Sequence, residues 1–578
     1  FKSIGLQQGL GSHHRLQLTC RSDMLEASGG EVLGATKDFL GSPVSLRIAS
    51  LGGLKGFGEL LFKGVVTGIE GTNGSHGHSG DMVTISAGSP TVAADDGPHY
   101  FSHNDAPLAD IVDLSLSGYG SSGLATAIRP RYTDPLHYTV QHNESSWGYL
   151  GRLAAQYGEW FYYDGTKLFF GLPGDGDPVA LYYGLDLHRF SLSLEPLPNT
   201  INYFTNDYLT DRQHQKKTTG MPPFGGYNGF ASKKSGELYA RETNVWVNGH
   251  TGPRLKKRFD KMVENQKMAT EQRQVTFTGS SDNPGVGLGK VIEVKDGGKG
   301  HGRYRVTEVT HTANENGRYR NTFRAVSAEQ DSYPLTDLGA FPRSGPQTAV
   351  VTENADPDGM GRVRVRFGWQ RPFGGSTPWV RIVTPHAGGG KGFHFVPEVG
   401  EEVLVGFEGG NAERPYVMGA LYNGDGRAEP FMNADNDIKA IRTRSGHTIE
   451  LNDRDGGETI TITDRNKNLI TIDTAKNSMT ITALEDMTFN ARNMQINVEE
   501  NMKMNIGQNK AEYIGQNHDI NSSNSTEMVS QAKSVNVGAL YNQYSASANL
   551  IATAGDMTIH SKGVSTFQGN ADVKISKG

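Results

Sequence analysis

The sequence predicts a mainly β protein that ends in an intertwined, three-chain β-prism, and three observations carry that expectation. The first is alternation. Segments 458–464 (ETITITD), 468–474 (NLITIDT), 477–483 (NSMTITA), 486–492 (DMTFNAR), 493–499 (NMQINVE) and 501–507 (NMKMNIG) place apolar residues at i and i+2 with polar residues between. A period of two makes each a strand with one apolar face. The second is recurrence. Ile460/Ile462, Ile470/Ile472, Met479/Ile481, Met487/Phe489, Met494/Ile496 and Met502/Met504 return every seven to ten residues. A short fixed repeat marks a solenoid or β-helix. The third is what is missing: the last proline is Pro430 and the last tryptophan Trp379. Proline removes a ladder hydrogen bond, so central strands exclude it. The apolar face is narrow. One chain has too few apolar positions per rung to fill a β-helix bore, whereas three copies around an axis fill a thin prism. A β-sandwich would need aromatics, varied strand lengths and proline at turns.

The totals set the frame. A chain of 578 residues is expected to hold about three or four domains. Gly is 74 of the total and aromatics 9%, a composition of turns and short strands. Charged residues are 20% with a net of −6, so no basic bias points to nucleic acid. The single Cys20 leaves no internal disulfide framework and suits a reducing compartment. No apolar run reaches membrane-span length. No signal peptide is recognisable, although the chain opens on Phe1, and export without one is the expectation.

Taken in order, residues 15–20, 44–48, 59–69 and 82–86 alternate between Gly/Ser turns and read as a twisted barrel or open sheet. Leu108, Ile111, Val112 and Leu116 share a helical face. A second helix can be capped by Asn143 or Ser145, carries Trp147, Leu150, Leu153 and Tyr157 inward, and stops at Gly158. A hairpin follows around Asp164-Gly165. From about 190 to 326 another sheet is expected, interrupted by one helix over 254–272. That helix has Leu255, Phe259, Met262 and Val263 inside and Lys256-Lys257-Arg258 on its wet face. Residues 327–345 read as a linker. Five short strands over 349–352, 361–367, 379–383, 402–407 and 416–419 then suggest a small closed OB barrel, with a Pro turn at Asp356-Pro357-Asp358-Gly359.

At this point the chain resembles the VgrG family of type VI secretion spikes. The residues that carry the likeness are Asp356-Pro357-x-Gly359-x-Gly361-Arg362-Val363-Arg364-Val365, Trp379-Val380-Arg381-Ile382 and the glycine loop at 385–392. Pro397-Glu398-Val399-Gly400-Glu401-Glu402-Val403-Leu404-Val405-x-Phe407 and Arg414-Pro415-x-Val417-x-Gly419-x-x-Tyr422-Asn423 follow in the family's order. Segment 140–161, with Glu144-Ser145 and Arg152-Leu153-Ala154, looks like its hub region; residues 1–50 match least. Glu398 and Asn411 stand where the pattern has Arg and Asp, and are read as surface variation.

The resemblance implies a homotrimer with a phage-hub-like region over 1–335 (two barrel subdomains plus helical insertions), an OB-fold domain over 345–426 and a trimeric β-helix needle over 437–578. It implies an Hcp-type hexameric tube ring at the hub, baseplate proteins, cargo effectors with their adaptors, and a PAAR-type cone on the needle tip. The tip residues are Asp572, Val573, Lys574 and Ile575, where the last strands leave unpaired backbone. The short joint over 423–436 leaves no room for a lysozyme-type insertion, and no toxin domain is expected beyond Gly578. The protein would wait in the bacterial cytoplasm and then be secreted.

Chemical sites are weak by comparison. Gly118-x-Gly120-x-x-Gly123 has the letters of a dinucleotide fingerprint but follows a helix-period stretch, and Pro130 comes soon after. Gly388–Gly392 (GGGKG) lacks the Ser/Thr of a phosphate loop. His76 and His78, or His13-His14, lack a third metal ligand. The run 453–458 (DRDGGE) misses the calcium-loop register. Asp95-Asp96 and Glu401-Glu402 read as solvated acids and Cys20 as an inert strand thiol. Arg362, Arg364 and Arg366 form a row read as solvated or subunit-facing, since stacking aromatics for single-stranded nucleic acid are absent beside it. The expectation is a mechanical spike without catalytic, cofactor or metal residues. The alternative is a phage-type tail spike that hydrolyses glycans on its prism, which would need paired carboxylates beside aromatic platforms.

Overall fold

The computed structural model describes residues 1–25, 33–50, 58–74, 81–174, 176–222, 224–576. His76 and His78 lie outside the described residues. The chain forms two units, Phe1–Thr482 and Ala483–Gly578.

The first unit is built on one eleven-stranded sheet. Strand Ser3–Gly9 alternates Ile4, Leu6 and Gln8 inward. It lies between Arg15–Arg21 and Lys299–Asn314, pairing antiparallel with both. The N-terminal strands and those after residue 275 therefore share one hydrogen-bonded sheet, where the sequence reading has two. Local alternation sets which face is buried; it does not say which strand is the neighbour.

Helix α1 (Leu108–Leu116) buries the four apolar residues expected of it. In helix α2 (Ser146–Tyr157), Ser145 is the cap: its Oγ accepts from Gly148 N–H at 3.0 Å. Gly158 ends the helix at φ 73°. The hairpin Trp160–Tyr163 and Leu168–Gly171 follows, with Asp164 Oδ1 accepting from the Thr166 and Lys167 amides. Trp160, Phe161 and Tyr163 are fully buried and anchor the core.

Two expectations fail between 190 and 345. A further helix, α3 (Gly226–Leu238), precedes α4 (Leu255–Arg273), and the apolar period gave no sign of it. Residues 327–345 are no free linker. Tyr333, Thr336 and Leu338 are buried, Asp331 accepts from Trp160 Nε1 at 2.8 Å, and Gln266 Oε1 accepts from Leu338 N–H at 2.9 Å. On α4, Lys256 and Lys257 are exposed but Arg258 is buried, donating to the His250 carbonyl.

The barrel has four strands in the order Arg364–Phe367, Gln347–Glu353, Glu402–Phe407, Pro415–Ala420. The expected strand over 379–383 is reduced to two single bridges, Val363 with Val380 and Ile382 with Val417, which join the two sheet edges and close the barrel. Val351, Val363, Val365, Val403, Val405 and Val417 fill it. The arginine row is not free. Arg362 is buried against Asp356 and Asp358 at 2.7 and 2.6 Å, Arg364 donates to Glu353, and Arg366 donates to the Gly375 carbonyl. Asp356 also accepts the Asp358, Met360 and Arg362 amides, and the Arg362 guanidinium holds its carboxyl far below the usual range.

Candidate assembly surfaces

Five strands close the first unit: Ile438–Arg442, Thr448–Asn452, Thr459–Thr463, Leu469–Asp473, Ser478–Thr482. They pair antiparallel in chain order. The register stacks Ile441, Ile449, Ile462, Ile470 and Ile481 in one row, and Leu451, Ile460, Ile472 and Met479 in the next. Both rows lie on one face, while Thr461, Thr471 and Thr480 line the other. Ile449 is 43% exposed and Met479 62%, so this apolar face is uncovered in the single chain. A contiguous patch of that kind marks an interface.

From Ala483 onward the described residues form no helix and no paired strand. Bends fall at 484–485, 492–493, 499–500, 507–508, 515–516, 523, 530–531, 538–539, 546, 553–555, 562–563 and 570–571, seven to nine residues apart. Two segments are identical, Ile506-Gly507-Gln508-Asn509 and Ile514-Gly515-Gln516-Asn517. Every described residue from 484 to 576 is exposed, Phe489, Met494, Ile496 and Met502 included. Backbone amides left without ladder partners need them from elsewhere. At the end, Val573 and Ile575 alternate with Asp572 and Lys574, whose charges lie 3.8 Å apart.

The barrel is locked to the preceding part of the first unit by buried polar groups. Glu413 Oε1 accepts from Thr139 Oγ1 at 2.8 Å, Val140 N–H at 3.3 Å and Arg152 Nη1 at 3.4 Å. Arg152 also holds Glu144 at 2.8 Å. Asn411 donates to the Asn248 carbonyl at 2.7 Å, and its own Oδ1 accepts the Glu413 amide. Asn411 is therefore buried in the joint and is not surface variation, whereas Glu398 is a surface residue paired with Arg444. An aspartate at 411 could not donate to that carbonyl. On the other flank Gln370 donates to Ser102 and Asn104 to the Ser376 carbonyl.

Inside the hub a second chain of buried groups crosses the sheet. His311 Nε2 donates to Gln8 Oε1 at 3.1 Å, Gln8 Nε2 donates to His14 Nδ1 at 3.0 Å, and Tyr319 Oη donates to His311 Nδ1 at 2.7 Å. Burial lowers His14 and His311 to about 3.

The remaining candidates fall into ordinary roles. Ser117–Ser122 is a 3₁₀ turn after α1, and Gly123 adopts φ 73°, so the glycine triplet lacks a strand before it. Ala387–Gly388 and Lys391–Gly392 form a small exposed hairpin. His13 bonds Thr91 and faces Asp95. Residues 453–458 turn between the strands Thr448–Asn452 and Thr459–Thr463. No cluster of three metal-ligating side chains occurs among the described residues. Cys20 is buried in its strand.

An uncovered strand face, an exposed C-terminal unit and a barrel clamped on a large sheet define the class: a β-rich component with surfaces left open for assembly. The family model of the phage tail baseplate hub matches residues 7–317, and that of the type VI secretion system/phage-baseplate injector OB domain matches 347–422. The chain belongs to this family, in its VgrG spike branch. It is 22% identical to the spike protein VgrG1a of Pseudomonas aeruginosa, over 74% of this chain and 70% of that one. It is 24% identical to VgrG1c of the same organism, over 74% and 63%. A solved chain of the lidded Francisella PdpA–VgrG complex shares the fold at TM-score 0.52 and 8% identity, covering 83% of this chain and 76% of that one. No helix among the described residues is long and apolar enough to cross a membrane.

Proposed function

We propose that three copies of this chain form a spike at the tip of a type VI contractile tube, which punctures target membranes and carries effectors. The observation that supports this most is the tail. Its bends return about every eight residues, it forms no strand ladder among the described residues, and its apolar side chains such as Phe489, Met494 and Ile496 are exposed in one chain. Three chains winding about one axis, each laying one segment per face, would pair every strand and close an apolar core. At about 4.8 Å per level, the twelve bends of the tail span about 55 Å.

In this reading 1–335 is the hub, seated on an Hcp-type ring; 345–426 is the OB barrel; 437–578 is the needle. Asp572, Val573, Lys574 and Ile575 receive a PAAR-type cone, because the tip is where a closed prism still has open edges. The role is mechanical rather than catalytic. The protein is held in the cytoplasm until firing and leaves with the tube.

Light scattering at low micromolar concentration tests the core of the proposal. The expected mass is three times 62.7 kDa. A monomer with native circular dichroism would refute it. Deleting 571–578 should abolish co-purification of the cone; undiminished binding would overturn the tip assignment.

A further inference from the structure

Helix α3 is turned inside out. Its polar side faces the protein. Asn228 Nδ2 donates to the Glu271 carbonyl at 2.8 Å, Ser232 Oγ to Glu271 Oε1 at 2.6 Å, and Ser235 Oγ accepts from Gln274 Nε2 at 2.7 Å. Asn199 adds a bond to the Ser232 carbonyl at 3.0 Å. Its apolar side faces out: Tyr227, Phe230 and Leu238 are 57%, 58% and 63% exposed. Lys233, Lys234 and Arg241 stand among them, all exposed, and Lys234 pairs with Glu237 one turn on, so the face keeps a net positive charge. The stitches to the end of α4 fix the helix's rotation, so it cannot turn its aromatics inward without leaving buried amide and hydroxyl groups unpaired.

A basic, apolar helix face asks for an acidic, apolar one. Helix α1 offers it. Asp110, Asp113 and Leu114 point outward, Leu114 at 54% exposure, opposite the buried Leu108, Ile111 and Val112. On α4, Lys256 pairs with Asp260 and Lys257 with Asp134, while on α3 Lys234 pairs with Glu237 and Lys233 is left to meet a partner. Contacts in a three-fold ring are heterologous, each joining two unlike patches. Pairing α3 with a second α3 would set two faces of net positive charge against each other, which is less favourable than pairing with the acidic α1.

We propose that α3 of one subunit docks on α1 of the next and closes the hub into a ring. This rests on the three-chain reading above, but its test separates the two. Chains grown in ¹⁴N and ¹⁵N are refolded together and treated with a carbodiimide, which joins amines to carboxylates in direct contact. Isotopically mixed peptides linking 226–241 to 108–116 are expected. They should be lost when Lys233→Ala and Lys234→Ala are combined, and restored when both charge sets are exchanged by Lys233→Glu, Lys234→Glu, Asp110→Lys and Asp113→Lys (linked then through the new groups). Phe230→Asp should lower the hub's melting temperature while the needle keeps the trimer mass. A trimer without mixed α3–α1 peptides overturns the docking and leaves the three-chain reading standing. A monomer overturns both. Binding to phosphatidylserine vesicles that Phe230→Asp abolishes, without mixed peptides, assigns the face to lipid instead and overturns the proposal.

Discussion

Glu413 gathers a hydroxyl, an amide and a guanidinium from the hub; Glu413, Thr139 and Val140 are buried and Arg152 is partly so. Removing one partner of such a group leaves the others unpaired out of water, at a cost of about 3–5 kcal/mol. Glu413→Ala should lower the melting temperature of the first unit accordingly. Glu398→Ala, which breaks an exposed pair with Arg444, should cost less than about 1 kcal/mol. Equal effects would show that the joint does not bear on stability. The same contrast applies in the needle. Ile472 lies between Ile460 and Met479 on the apolar face, and Thr471 between Thr461 and Thr480 on the other. With three chains on an axis, Ile472→Asp buries three carboxylates at several kcal/mol each. It should block assembly and recover in part at low pH. Thr471→Asp should assemble normally, within about half a kcal/mol. Sedimentation and melting of both variants check it; a worse Thr471→Asp would mean the faces are reversed. Asn411 shows where reading single residues fails. Its partner is Asn248, 163 positions away, and nothing local in the sequence announces that bond.

Elements were legible wherever apolar spacing and end signals agree. Helix α2 has both, with Ser145 at its start and Gly158 at its end. Gly158 sits at φ 73°, and a Cβ there would come 2.9 Å from Asn265, whose amide donates to the Tyr157 carbonyl. Gly158→Ala should therefore cost at least about 1 kcal/mol. Gly118→Ala meets open space and should be close to neutral, although the fingerprint letters single it out. Thermal melts of the two variants decide the point. Helix α3 escaped notice because pattern reading assumes that apolar residues face inward, and here Asn228, Ser232 and Ser235 do so. The 379–383 segment alternates as a strand should, yet supplies only single bridges, since closing a small barrel needs contact at its seam and not a full ladder. The strands over 459–482 were read correctly because period two, short turns and paired isoleucines coincide.

The molecule as a whole keeps several histidines neutral by burial: His14 and His311 at about 3 and His103 at about 4. Their unfolded value is about 6.5. The unfolded chain then binds more protons between the two values, so the stability they contribute is complete above about pH 6.5 and falls as the pH drops toward 3–4. Asp356 works lower on the scale. Its depressed carboxyl contributes above the ordinary aspartate range and is lost only below it. Melting temperature should thus begin to fall below about pH 6.5, far above the range in which Asp356 titrates. His311→Gln should flatten that first limb, and a flat profile down to pH 4.5 in the parent protein would contradict the assignment. What the sequence could not supply at this scale is the joining of distant strands, such as Ser3–Gly9 with Lys299–Asn314.

The eight-residue rhythm of the tail also bears on time. Chains that wind around one another are linked like the strands of a rope, and a subunit can leave only by unthreading its whole length. Exchange between finished particles then becomes as slow as unfolding itself, however weak any one contact is. Mixing two labelled preparations after assembly should yield no hybrids over days, whereas refolding them together should yield all four combinations. The particle's composition would be settled once, at winding.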